Sequence, residues 1–65
     1  MSTYTAKTQM RDDETVTVDA PSTDAALTLL RAELNAQHPE WMMARVFSPA
    51  GYNIARLEHE RFHRR

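Results

Sequence analysis

The first third of the chain alternates. Tyr4, Ala6, Thr8 and Met10 fall on one side and Thr5, Lys7 and Gln9 on the other. A period of two predicts a strand over residues 4–10, and threonine and tyrosine favour that state. Residues 11–14, Arg-Asp-Asp-Glu, are polar and turn-like. Residues 15–19 alternate again, with Val16 and Val18 inward and Thr15, Thr17 and Asp19 outward. Two alternating runs with a short polar link predict an antiparallel hairpin.

The period then changes. Pro21 lacks the N–H a sheet ladder needs and ends the second strand. Ser22 or Thr23 can cap a helix by accepting from its free N–H groups, and Asp24 suits the positive end of the helix dipole. Ala26, Leu27, Leu30 and Leu34 form one apolar stripe, and Ala25, Leu29, Ala32 and Ala36 a second. Asp24, Thr28, Arg31 and Asn35 occupy the polar side. This pattern predicts a helix lying on a sheet, with the small-residue flank allowing close approach. His38-Pro39 closes it, because a residue before proline is pushed out of the helical region.

Residues 41–48 alternate once more. Met42, Ala44 and Val46 share one face; Trp41, Met43, Arg45 and Phe47 share the other. Alternation leaves open which set faces the helix. Ser48-Pro49-Ala50-Gly51 is a turn candidate, with proline presetting φ and glycine permitting a positive one. Residues 52–58 complete a hairpin if extended. They could also form a helix capped by Ser48 with Pro49 in its first position. The strand is the preferred reading. Residues 59–65 form a basic tail, helical or frayed. The predicted fold is α+β: a small antiparallel sheet in ββαββ order with one helix packed across one face, all in a single domain over residues 1–65.

Length sharpens the picture. A chain of 65 residues buries only about 60% of its unfolded surface, so its core is marginal. Small scaffolds usually add disulfides, a metal or a partner. The chain has no cysteine, which excludes disulfides and thiolate zinc sites. No apolar stretch approaches the roughly 18 residues of a membrane span, and the start lacks signal-peptide character. A cytoplasmic protein is expected. Charge is unevenly spread: residues 1–40 carry three basic and seven acidic side chains, residues 41–65 five basic and two acidic. The polarity suggests two faces of opposite sign more than one nucleic-acid surface.

Little here points to catalysis. The single glycine cannot build a phosphate-cradling loop, and no serine sits in an elbow. His59-Glu60-Arg61-Phe62-His63 matches H-E-x-x-H, in which two histidines one helical turn apart bind zinc. A zincin needs a third ligand and a cleft, and only Arg64 and Arg65 follow. His59 and His63 are therefore weak metal candidates, and no cofactor is expected. The run Asp12-Asp13-Glu14 reads as a solvated turn. The stronger signal is aromatic and arginine interleaving at Trp41, Arg45, Phe47, Tyr52, Arg56 and Phe62. These residue types dominate binding hot spots. Trp41, Arg45, Phe47, Tyr52, Arg56 and Arg61 are the candidate partner contacts. The alternative is that the same residues are sheet core with peripheral arginines.

The run Val16-Thr17-Val18-Asp19-Ala20-Pro21-Ser22-Thr23-Asp24-Ala25-Ala26, followed by a strand ending in Arg45-Val46, resembles very small phage-encoded anti-CRISPR proteins acting on type I systems. These have a compact ββαββ build. The resemblance implies a non-enzymatic inhibitor that binds subunits of the RNA-guided surveillance complex, Cascade, in the host cytoplasm and blocks target DNA binding or nuclease recruitment. The alternative is a small nucleic-acid-binding regulator using the basic C-terminal half. An uncovered aromatic face would also permit a homodimer.

Overall fold

A computed structural model describes residues 1–8 and 14–59. The elements run β1 (Ser2–Thr8), β2 (Thr15–Ala20), α1 (Thr23–Gln37), β3 (Met43–Phe47) and β4 (Asn53–Glu58). They form one four-stranded antiparallel sheet with the helix between the second and third strands, the ββαββ order expected. Residues 53–58 form β4 and pair with β3, so the helical alternative for that segment falls. Met10 and most of the acidic turn lie outside the described residues.

Spatial order is β2-β1-β3-β4. The N-terminal strand is therefore central. It pairs with β2 through Ser2↔Ala20 to Lys7↔Thr15 and with β3 through Thr5↔Phe47 to Thr8↔Ala44. Helix α1 carries the chain over β1, since β2 and β3 lie on either side of it. A local hairpin pattern predicts β1–β2 but says nothing of the non-local β1–β3 pairing.

The alternation resolves as follows. Tyr4 and Ala6 of β1, Val16 and Ala20 of β2, Ala44 and Val46 of β3, and Leu57 of β4 are buried on the helix side. Ala26, Leu30 and Leu34 of α1 meet them in one core cluster. Ala6, Ala20, Ala26 and Ala44 are small and almost fully buried, which lets helix and sheet approach closely. Met43, Arg45 and Phe47 consequently share the other face. The second helical stripe meets the core only at Ala25, which packs against it half-buried: Leu29 is 43% exposed, and Ala32 and Ala36 are exposed too. Only one stripe of a helix can contact a flat sheet, and the Ala26–Leu34 stripe contains the larger side chains.

Both ends of α1 are tied down. The Ser22 hydroxyl accepts from the Ala25 N–H at 3.2 Å, resolving the capping choice in its favour. At the other end the His38 N–H donates to Leu34 O at 2.8 Å, and the Trp41 N–H donates to His38 O at 2.9 Å. That reversal folds Trp41 back beneath the helix. The helix backbone lies closest to β2 and β1, and Trp41, 1% exposed, enters the core from the β3 side. Its Nε1–H donates to Asn35 Oδ1 at 2.8 Å. The Arg31 guanidinium stands 5.9 Å from the indole centroid, and the His59 ring meets it edge-on at 5.3 Å.

The β3–β4 turn is closed by the Gly51 N–H donating to Ser48 O and the Ser48 N–H donating to Tyr52 O, both at 2.8 Å. Gly51 has φ +94, a conformation that side chains with a Cβ rarely adopt. Register shifts between Val46 and Phe47: Val46 pairs with Ala55 but Phe47 with Asn53, so Ile54 is the extra residue of a bulge.

Trp41→Ala removes the largest fully buried side chain at an expected cost of about 3–5 kcal/mol. A core this small rarely supplies more than about that, so urea titration at 25 °C should find the variant largely unfolded. Ser22→Ala should lower the unfolding free energy by about 1 kcal/mol and leave the folded-state circular dichroism unchanged.

Candidate binding surface

Among the described residues, no element covers the sheet face away from α1. Four register rows cross it. Asp19 pairs with Thr3, whose hydroxyl donates to Asp19 Oδ1 at 2.8 Å. Thr17, Thr5, Phe47 and Asn53 form the next row. Thr15, Lys7, Arg45 and Arg56 form the third, and Met43 and Glu58 lie in the fourth.

The third row carries the charge. Lys7, Arg45 and Arg56 sit on adjacent strands as direct cross-strand partners, and all three are exposed. Like charges placed opposite one another destabilise a sheet. Contacts within the face soften the row. Arg56 reaches Glu58 Oε2 at 3.3 Å, a surface pair of small net value. Lys7 Nζ lies 5.6 Å from the Phe47 ring centroid, within cation–π range.

Beside the row lies a shallow depression of about 400 Å³, lined by Thr3, Thr5, Lys7, Phe47 and the turn residues Ser48, Pro49 and Gly51. Its floor is part aromatic and its walls carry hydroxyls. In the adjoining turn and β4, Tyr52 is 72% exposed and Ile54 41% exposed. The bulge that leaves Ile54 unpaired also sets it outward.

Three of the six predicted contacts therefore lie on this face, Arg45, Phe47 and Arg56, and Tyr52 is exposed in the turn that precedes β4. Trp41 does not lie on the face. It precedes β3 rather than belonging to it, and burial removes it from the surface. An indole placed beyond the strand end is not bound by the strand's alternation, which is why its apparent grouping with Met43, Arg45 and Phe47 fails. Arg61 lies outside the described residues, as do Glu60 and His63 of the H-E-x-x-H match. His59 is described: its N–H donates to Met42 O at 2.8 Å, which ties the start of that match to the sheet. No group of three His, Cys, Asp or Glu side chains suited to a metal occurs among the described residues.

Lys7 was not among the predicted contacts. Its outward direction follows from the alternation of Tyr4, Ala6 and Thr8. Its place beside Arg45 follows only from the β1–β3 pairing. Arg31 and Asn35, on the helix side without an assigned role, turn out to hold the fold: the Arg31 Nη1–H donates to Glu58 O at 2.8 Å, and Asn35 accepts from Trp41.

Comparison with protein-family models, with curated proteins and with solved structures found no match. No helix among the described residues is long and apolar enough to cross a membrane.

The aromatics should separate cleanly in a stability assay. Tyr52→Ser should change the unfolding free energy by no more than about 0.5 kcal/mol, as for surface substitutions generally, while Trp41→Ala prevents folding. A large loss from Tyr52→Ser in thermal melts would mean that this ring is part of the core.

Proposed function

We propose that the protein is a non-enzymatic inhibitor that works by binding another protein through the face of its sheet opposite α1. The observation that carries this reading is the arrangement of that face: Lys7, Arg45 and Arg56 in one row and Phe47 beside it, with Tyr52 and Ile54 exposed nearby in sequence. Arginine and aromatic side chains are the types that supply most interface energy. The resemblance to small anti-CRISPR proteins names the target: a subunit of a type I Cascade complex in the host cytoplasm, blocked from binding target DNA or from recruiting its nuclease.

Immobilised protein should retain purified type I Cascade, and its expression should protect a phage from a type I-equipped host. Arg45→Glu combined with Phe47→Ser should abolish both effects without loss of the folded circular dichroism signal. Failure of the wild type to retain any type I Cascade or to protect phage would end this reading.

The row of cations also supports a second reading, a small nucleic-acid-binding regulator. Binding to a labelled single strand should then weaken with salt at a logarithmic slope of about −2, from three phosphate contacts at about −0.7 each. Absent or salt-insensitive binding eliminates it.

A further inference from the structure

We infer that two copies of this chain pair along their β2 edges, joining two sheets into one of eight strands with both α1 helices on the same face. The spatial order β2-β1-β3-β4 leaves two edges. An edge with unused N–H and C=O groups is a template for another strand, and folded chains guard it with charges, bulges or covering groups. The β4 edge is guarded. The His59 N–H donates to Met42 O at 2.8 Å, in line with Ala44↔Leu57 and Val46↔Ala55. Bonded pairs recur at every second residue of an antiparallel ladder, so Arg56 and Glu58 direct their backbone groups outward. The Arg31 Nη1–H donates to Glu58 O at 2.8 Å, Ile54 is bulged, and Arg56 adds a charge.

The β2 edge has none of these devices. The Thr8 N–H donates to Glu14 O at 2.9 Å, in line with Ala6↔Val16 and Tyr4↔Val18. Val16 and Val18 therefore bond to β1, while Thr17 and Asp19 direct their N–H and C=O out of the sheet. Among the described residues nothing bonds to those outward groups. Residues 15–20 hold no proline, lysine or arginine, and their register with β1 runs without a bulge. The one charge, Asp19, is turned to the Thr3 hydroxyl, which donates to it at 2.8 Å. A second copy fits this edge. Antiparallel pairing that uses Thr17 and Asp19 of both copies has one register: Thr17 opposite the partner's Asp19, and Val18 opposite itself on the two-fold axis. No like charges are then opposed, and Val18, half-buried in the single chain, gains an apolar neighbour.

The helix offers a second contact on the same side. Arg31 reaches β4 and Asn35 reaches Trp41, while Ala26, Leu30 and Leu34 face the sheet. Leu29 and Ala36 therefore lie on the opposite flank, beyond β2, and both are exposed. With α1 seated over β2 and β1, two-fold copies stand about two strand spacings, roughly 10 Å, apart, which is helix-packing distance. Both β2 and β3 are antiparallel to β1, so α1 runs back along β2. Val18 lies about 7 Å before the end of β2, a distance that α1 covers in about five residues. Leu29 is the flank residue nearest that level, so it meets its own copy near the axis. An unrelated strand could use the edge but would leave Leu29 uncovered, and this selects a second copy as the occupant.

Sedimentation equilibrium should give twice the 7.5 kDa chain mass at about 100 μM, falling toward the monomer on dilution. Thr17→Pro removes an outward N–H and no bond to β1, so it should be monomeric with the folded circular dichroism retained. Leu29→Glu, at an exposed helical position, should raise the dissociation constant by about tenfold or more, because like charges meet at the axis. It decides the matter should Thr17→Pro not fold. Cysteine substitutions read the register, in a chain that has no cysteine of its own. Val18→Cys should give a disulfide-linked dimer under mild oxidation, with Cα atoms about 4.5 Å apart across the pair. Thr17→Cys, about 9 Å from its copy, should not. Arg45→Glu combined with Phe47→Ser should leave the dimer intact. A monomer at every concentration, or a dimer that survives both Thr17→Pro and Leu29→Glu, would overturn the inference. So would loss of the dimer in the Arg45→Glu, Phe47→Ser variant, or crosslinking of Thr17→Cys in preference to Val18→Cys. Retention of Cascade by a strictly monomeric protein would overturn it and leave the inhibitor reading standing, and a dimer of this register that retains no Cascade would do the reverse.

Discussion

Burial of Trp41 is the constraint on which the rest of this structure depends. A single fifteen-residue helix cannot cover four strands evenly, and α1 lies nearest β2 and β1. The indole fills what remains, toward β3 and β4. An aromatic ring of this size accounts for a large part of a small core, but its N–H must find an acceptor once water is excluded. Asn35 supplies that acceptor from the helix. Arg31 covers the ring and donates to the β4 carbonyl of Glu58, while His59 closes the edge. Helix, β3 and β4 are thus joined at one corner by polar groups that have little reason to associate without the ring between them.

That arrangement explains how a chain without disulfides leaves a whole sheet face for other use. The helix spends its stripe on Ala26, Leu30 and Leu34, and its polar side on Trp41 and Glu58. Nothing is drawn from the opposite face of the sheet to complete the core. Threonines occupy much of that face along β1 and β2, where they suit a pleated surface without demanding burial. The aromatic and cationic residues gather along β3 and β4, around a bulge and a turn whose geometry depends on Gly51. The same division places Phe47 half-buried beside Lys7 instead of beneath the helix.

The candidate surface was legible in part. Interleaved arginines and aromatics between residues 41 and 56 signal a binding face because those residue types supply most interface energy. Alternation then groups Arg45 with Phe47. It also groups Trp41 with them, wrongly, since alternation holds only while the chain is extended and β3 begins at Met43. Lys7 could not be found this way. It lies nearly forty positions from Arg45, and its contribution depends on a pairing between strands that are not consecutive. The second helical stripe misled beyond Ala25 for a similar reason: periodicity marks two stripes, and the position of the sheet decides that only Ala25 of the second is covered.

By itself the sequence determined the local states. Period two, period 3.6, a proline stop, a Ser22 or Thr23 cap and a glycine turn are written in neighbouring residues, and they specify strand, strand, helix, strand, with a last segment that prefers strand over helix. Only the tertiary structure decided that β1 is central, that Ala44 and Val46 face inward, that Trp41 is core, and that Lys7, Arg45 and Arg56 form one row. The physical reason is the range of the interactions. Backbone preference and capping act over a few residues, whereas strand order, facing and charge alignment are settled by which apolar surfaces are buried together across the whole chain.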